Sequence, residues 1–231
     1  MSDSVGAVIV AAGIGTRMQG VDKLFTEVAG RALLAHTIAT FEACEAIGRI
    51  VVVLSAENVN RGRDLMAKQR LTKVTACVGG VRRQDSVRLG LEALGVCDYV
   101  AVHDGARPLV TVELIERGIG AAQESGAAVP ALPIADTVKE ADAGIVVRTL
   151  DRSRMIAVQT PQLFRYDLLL RAHREVSADV TDDAAMVEAL GERVRVFEGD
   201  QRNVKVTTAE DLALVEALLA ATTATVSPRR E

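Results

Sequence analysis

Three observations predict an α/β protein built on a three-layer, mostly parallel sheet: short, nearly continuous apolar runs, amphipathic segments of helical length between them, and small-residue loops directly after the runs. The runs are residues 5–10, 50–54, 74–78 and 99–102, rich in valine and isoleucine as strands covered on both faces require. Residues 32–43, 57–68, 84–94 and 112–124 supply the helices. A crossover helix between successive strands keeps them parallel, and such sheets bind ligands beyond the carboxyl ends of their strands. Loops 11–20, 79–83 and 103–108 are therefore where a site is expected.

The rhythm breaks between Ala135 and Thr160. The β-prone runs Thr137-Val138-Lys139 and Ile145-Val146-Val147 flank the turn-forming stretch 140–144, which reads as a hairpin too polar on both faces for the middle of a sheet. Two readings stay open on pattern alone: an arm reaching a partner subunit, or a surface flap on a monomer. Beyond it, helices are expected near 167–175 and 182–190, a strand at 194–197 and a last helix over 209–221. The polar tail 222–231 is expected to be disordered, and residues 1–231 to form a single domain.

Bulk properties narrow the class. Hydrophobic residues make up 49% and charged residues 25% of the 231, ordinary globular values that exclude disorder. A net charge of −4 lacks the basic footprint of a nucleic-acid binder. No apolar run approaches the roughly 20 residues of a membrane span. Met1-Ser2-Asp3-Ser4 lacks the cationic start of a secretory signal, so a cytoplasmic location is expected. Cys44, Cys77 and Cys97 show no CxxC spacing, and His36, His103 and His173 no paired-ligand spacing, which disfavours a disulfide framework or a zinc site.

The first loop, Ala11-Ala12-Gly13-Ile14-Gly15-Thr16-Arg17-Met18, lets backbone N–H groups approach an anion without side chains in the way. It has neither the third glycine of a dinucleotide fingerprint nor a Walker lysine. Arg17 and Lys23 instead set two cations beside the turn, suited to a triphosphate; the competing reading is a tight turn with solvated cations. In His103-Asp104-Gly105-Ala106-Arg107-Pro108, Asp104 at a strand end is placed to hold Mg2+ against phosphate oxygens, or alternatively to cap the next helix, although Thr111 already serves as a cap. In Gly79-Gly80-Val81-Arg82-Arg83-Gln84-Asp85-Ser86, a base could lie on Gly80 with Ser86 reading its edge, or the stretch is an ordinary helix start. Individually, Arg152, Thr160, Thr181 (as a helix N-cap) and Lys205 also have purely structural readings.

Taken in order, AAGIGTRM, the following lysine, GG…DSV, HDGARP, DTVK, DR, QTPQ, TDDA and NVKVT resemble the cytidylyltransferase of the methylerythritol phosphate route to isoprenoids, over about residues 5–218. The opening loop is shared by many sugar nucleotidyltransferases; the later motifs are specific as a set. The resemblance implies a Rossmann-like nucleotidyltransferase sheet with a protruding β-hairpin arm at 135–149, and a homodimer joined through that arm. It implies catalysis by Arg17, Lys23 and Lys205, CTP binding by Ala11, Ala12, Gly13, Gly15, Gly80 and Ser86, and a divalent cation on Asp104, close to the sugar alcohol. It places the methylerythritol phosphate on Thr137, Arg107, Arg152, Thr160 and Thr181, some of them from the other subunit. Ribitol-5-phosphate cytidylyltransferase is the nearest alternative; Ala106 and Lys139 favour the methylerythritol enzyme. Val10 and Asp22 stand where the family often has proline, Val81 where it often has an acidic residue, and Gly105 where it has alanine.

Overall fold

The computed structural model describes residues 3–13 and 23–226, with side chains up to residue 221. The chain begins with β1 (Val5–Ala11), then a 3-10 turn (Lys23–Phe25) and a small hairpin of β2 (Glu27–Val28) and β3 (Arg31–Ala32). The alternation read from the sequence follows: α1 (Leu33–Ala43), β4 (Ile47–Leu54), α2 (Val59–Lys68), β5 (Val74–Val78), α3 (Arg83–Leu94), β6 (Tyr99–Asp104) and α4 (Val112–Ser125). Strand β6 runs two residues past its expected end, so His103 and Asp104 belong to the strand and not to the loop. Thr111 caps α4, accepting the Leu114 N–H at 3.2 Å, as its position suggests.

Next comes β7 (Ala127–Pro133), then β8 (Lys139–Asp142) and β9 (Ile145–Thr149), which form the hairpin. It sits slightly later than the β-prone residues suggest, because the turn is set by Ala143 and Gly144, with φ of 46° and 82°. Positive φ at both central residues gives the twist that a two-residue hairpin needs. The chain finishes with β10 (Ile156–Val158), β11 (Gln162–Arg165), α5 (Tyr166–Glu175), α6 (Asp183–Ala189), β12 (Arg195–Glu198) and α7 (Ala209–Val226). Helix α7 continues to Val226, five residues past the end expected for it, and residues 227–231 lie outside the described ones.

The main sheet has the order β10-β7-β11-β6-β1-β4-β5, with β12 also paired to β7. β1, β4, β5 and β6 are parallel to one another, whereas β11 enters antiparallel between β6 and β7, and β10 pairs antiparallel with β7. The sheet is thus mixed but mostly parallel, with helices on its faces. Alternate strand residues pack into two apolar clusters: Ala7, Ile9 and Val52 join Leu34, Ile38 and Phe41 of α1, while Val8, Val51, Val53 and Val102 join Val87 and Leu91 of α3. Each fully buried leucine, isoleucine or phenylalanine there stabilises the fold by about 1.5–3 kcal/mol relative to leaving it exposed. The packing fixes β1, β5 and β6 side by side with β4, so their carboxyl ends share one edge.

Candidate active site

At that edge the ends of β1, β5 and β6 surround a cleft of about 600 Å³ whose walls include Ala11, Ala12, Gly13, Lys23, Gly80, Ser86, Asp104 and Lys205. Gly79 lets two walls meet. A Cβ there would fall 2.6 Å from the Ala12 Cβ and 2.7 Å from the Ser86 Oγ, so any larger residue would push the β5 loop off the β1 loop. Ser86 is buried at the start of α3; its hydroxyl accepts the Gly80 N–H at 3.1 Å and reaches the Arg82 carbonyl at 3.2 Å. Those two bonds use its proton and one of its two lone pairs.

Opposite, Asp104 ends β6 with its carboxylate 2.9 Å from the Lys205 ammonium and 3.6 Å from the guanidinium groups of both Arg83 and Arg107. Burial alone would raise its pKa, but Arg83, Lys205 and Arg107 outweigh that and hold it well below the usual carboxylate range. The cleft therefore contains an aspartate that is ionised at neutral pH, in a cationic surround. Lys23 donates to the Val206 carbonyl at 2.8 Å, and Val206 N–H to the Ala106 carbonyl at 2.8 Å, which binds the segment carrying Lys205 to the loop after β6.

Behind Asp104 lies a polar chain with one consistent set of protons. Thr160 Oγ1 accepts the Asp104 N–H at 3.1 Å and lies 3.0 Å from His103 Nδ1, while His103 Nε2 is 3.2 Å from the Arg107 carbonyl. A carbonyl only accepts, so Nε2 carries the proton and Nδ1 accepts from the threonine hydroxyl. Burial drives the His103 pKa down to about 4, more than Asp104 nearby raises it, so the ring is neutral at pH 7. Arg107 donates to the Asn203 carbonyl at 2.8 Å, and the Asn203 amide donates to the Thr160 carbonyl at 2.7 Å.

The structure thus gathers Ala11, Ala12, Gly13, Lys23, Gly80, Ser86, Asp104 and Lys205 around one cleft. Gly15 and Arg17 lie outside the described residues. Arg107 and Thr160 are buried and stand behind Asp104 instead of lining the cleft. Thr181 is exposed and is not the cap of α6; Asp182 takes that position, accepting the Ala185 N–H at 3.0 Å. Thr137 and Arg152 are exposed and away from the cleft walls, with Arg152 donating to the Ala135 carbonyl. Sequence reasoning missed Arg83, whose guanidinium also meets Asp183 at 2.7 Å, and missed the buried Asp183 itself. Two adjacent acidic residues at a helix start were the available signal, because only one of them can cap.

The comparisons with known proteins agree with this geometry. A sequence model of the 2-C-methyl-D-erythritol 4-phosphate cytidylyltransferase family matches residues 5–221. The chain belongs to that family. A 2-C-methyl-D-erythritol 4-phosphate cytidylyltransferase of Dehalococcoides mccartyi (strain CBDB1) is 45% identical over 95% of this chain and 97% of its own. One of Geobacillus kaustophilus (strain HTA426) is 44% identical over 93% and 96%. Among solved structures, 4-diphosphocytidyl-2C-methyl-D-erythritol synthase from Anaerococcus prevotii superposes with a TM-score of 0.84 at 30% identity, covering 94% of this chain and 96% of that one. The cytidylyltransferase from Thermus thermophilus gives 0.77 at 36% identity, over 92% and 98%. These matches carry the methylerythritol name and favour it over the ribitol alternative. The chain is therefore a nucleotidyltransferase of the cytidylyltransferase kind, with the α/β architecture its motifs imply.

Proposed function

We propose that this chain transfers CMP from CTP to 2-C-methyl-D-erythritol 4-phosphate, giving 4-diphosphocytidyl-2-C-methyl-D-erythritol and pyrophosphate, as a cytoplasmic step of isoprenoid precursor synthesis. The observation that carries the reading is the cleft at the β1, β5 and β6 ends, where glycine and alanine backbone faces Lys23 and Lys205. The acceptor phosphate has its second pKa at about 6 and is largely dianionic at neutral pH, so it needs no general base. His103, neutral and held between Thr160 and Arg107, is consistent with that. What the reaction needs is two anions brought into line and charge stabilised at the α-phosphorus, which is positioning and cation clamping.

In this reading Arg17, Lys23 and Lys205 clamp the triphosphate. Ala11, Ala12, Gly13, Gly15, Gly80 and Ser86 frame the base, and the remaining Ser86 lone pair suits the amine of cytosine, a donor where uracil has an oxygen. Mg2+ fits the donor set in one way. Among the described residues no group of three or more acidic, histidine or cysteine side chains could cage a metal, but one carboxylate plus substrate phosphates is an ordinary magnesium arrangement, and Asp104 supplies the carboxylate. Bound there, the ion would neutralise phosphate charge as a Lewis acid.

The acceptor is assigned to Asp104, Thr181 and, from a second subunit, Thr137 and Arg152; Arg107 and Thr160 serve by fixing Asp104. A homodimer is supported by the exposed apolar side chains Ile145, Val146 and Val147 on the hairpin and Ile156 and Val158 on the terminal strand β10. No helix among the described residues is long and apolar enough to cross a membrane. The decisive experiment is a panel of nucleoside triphosphates against methylerythritol, ribitol and glycerol phosphates with Mg2+, scored for pyrophosphate. CTP with methylerythritol phosphate is the expected productive pair; equal turnover with ribitol phosphate would overturn the acceptor.

A further inference from the structure

Asp183 is fully buried at the first position of α6, yet three surrounding contacts determine where it points. Gln162 of β11, itself buried, donates to Asp182 at 2.8 Å and accepts the Ala184 N–H at 3.0 Å, which clamps the residues on either side of Asp183. Asp182 is occupied as the cap, so Asp183 is left to turn inward. There one of its oxygens lies 2.7 Å from Arg83 Nη1 and the other 3.6 Å from Nε2 of His173, whose side chain is also buried. Arg83 is a wall of the cleft, and its Nε faces Asp104 at 3.6 Å. One guanidinium therefore sits between two carboxylates, close to Asp183 and held off Asp104.

We propose that Asp183 is a positioning residue that keeps Arg83 from closing onto Asp104, so that the Asp104 carboxylate remains available to Lys205 and to the cleft. Arginine binds carboxylate preferentially by two parallel hydrogen bonds, a geometry that an ammonium cannot match. Released from Asp183, Arg83 moves onto Asp104, takes both of its oxygens and frees Lys205 from the 2.9 Å contact that now orients it. Asp183 thus acts on the reaction through Arg83, without touching substrate, and its catalytic consequence rests on the proposed cytidylyl transfer.

The test is Asp183→Asn, examined by crystal structure and by kinetics beside Arg83→Gln and the double variant. In the Asp183→Asn crystal, Arg83 is expected within hydrogen-bond distance of Asp104, with Lys205 displaced; Arg83 staying apart from Asp104 overturns the proposal whatever the substrate is. In kinetics, turnover should fall about ten- to a hundredfold, with a smaller change in the KM for CTP, as expected when a reacting geometry is lost. In the Arg83→Gln background, Asp183→Asn should cost nothing further, because the group it restrains is gone; an additive loss means a general structural role and overturns the idea. Should Asp183→Asn alone fail to fold, the double variant, which removes both charges of the pair, still supplies the comparison with Arg83→Gln. A wild-type chain that releases no pyrophosphate would remove the reaction assigned above while leaving the crystal result to judge the Arg83 geometry.

Discussion

The cleft edge and the hairpin arm make opposite use of the same backbone chemistry. Around Asp104 the charged and hydroxyl groups are tied to partners from distant segments: Arg83 from α3, Thr160 before β11, and Lys205 beyond β12. On the arm, β8 and β9 bond to each other, every residue of the two strands is exposed, and the apolar side chains of Ile145, Val146 and Val147 are more than half exposed among the described residues. The contrast is why the proposed partner is assigned to the arm and not to the cleft edge. A site satisfied by its own chain can be rigid as a monomer, whereas an arm of bare apolar residues gains stability by meeting another surface.

Removing the cations assigned to the triphosphate should produce the largest effect. Lys205→Ala, Lys23→Ala and Arg17→Ala are each expected to lower turnover by about 10²–10³-fold, the loss typical of one transition-state charge stabiliser. For Lys23→Ala the melting midpoint should change by only a few degrees, the hydrogen bond to Val206 being worth about 1 kcal/mol. A collapsed melt in parallel with lost activity would recast the residue as structural.

Subunit mixing probes the division of labour between cleft and arm directly. If Arg152 serves the neighbouring cleft, combining inactive Lys23→Ala and inactive Arg152→Ala chains gives heterodimers with one intact site each. Random reassortment makes half the dimers mixed, so about a quarter of wild-type activity should return. Heterodimers that form and stay inactive would place Arg152 in its own subunit's site or in none. The arm can also be broken alone. Ile145 and Val147 are both exposed apolar residues of β9, so Ile145→Arg with Val147→Arg should shift sedimentation to a monomer and leave the circular dichroism spectrum unchanged. A dimer persisting at the same concentration would mean that the interface lies elsewhere.

The same contrast explains what the sequence could disclose. Strands β1 and β4 were legible because burial on both faces favours valine and isoleucine, whereas the half-buried edge strand β5, Val-Thr-Ala-Cys-Val, was legible chiefly from its place between two helical segments. The hairpin was legible from its turn. Strand β7 was not: Ala-Ala-Val-Pro-Ala-Leu-Pro has little β-branched character and two prolines, and it is a strand only because β10, β11 and β12 pair with it. The loops after β1, β5 and β6 could be singled out because each follows a strand end, whereas the Arg83–Asp183 pair spans 100 positions and depends on which of two aspartates the helix cap consumes. The inward roles of Thr160 and Arg107 were likewise hidden, since a motif specifies residue types and not the direction in which they face.

The smallest expected effect is on stability, and it separates the buried chain behind the cleft from everything on the arm. His103 titrates at about 4 in the folded protein, against 6.5 for an ordinary histidine, because burial opposes its charged form. Its folded pKa is the lower one, so the unfolded chain binds the proton first as pH falls. The contribution of His103 is therefore fully present above about pH 6.5, declines between 6.5 and 4, and is gone below 4. From pH 7 to pH 5 this amounts to a loss on the order of 2 kcal/mol in unfolding free energy. Asp104 and Asp183, both held below the usual carboxylate range, lose their contributions at lower pH still and do not overlap that window. Urea midpoints at pH 7, 6 and 5 should fall stepwise for the wild type. His103→Gln should be less stable at pH 7, having lost the Thr160 contact, but markedly flatter with pH. An equally steep decline in the variant would assign the titration to another group and release His103 from the role of neutral spacer between Thr160 and Arg107.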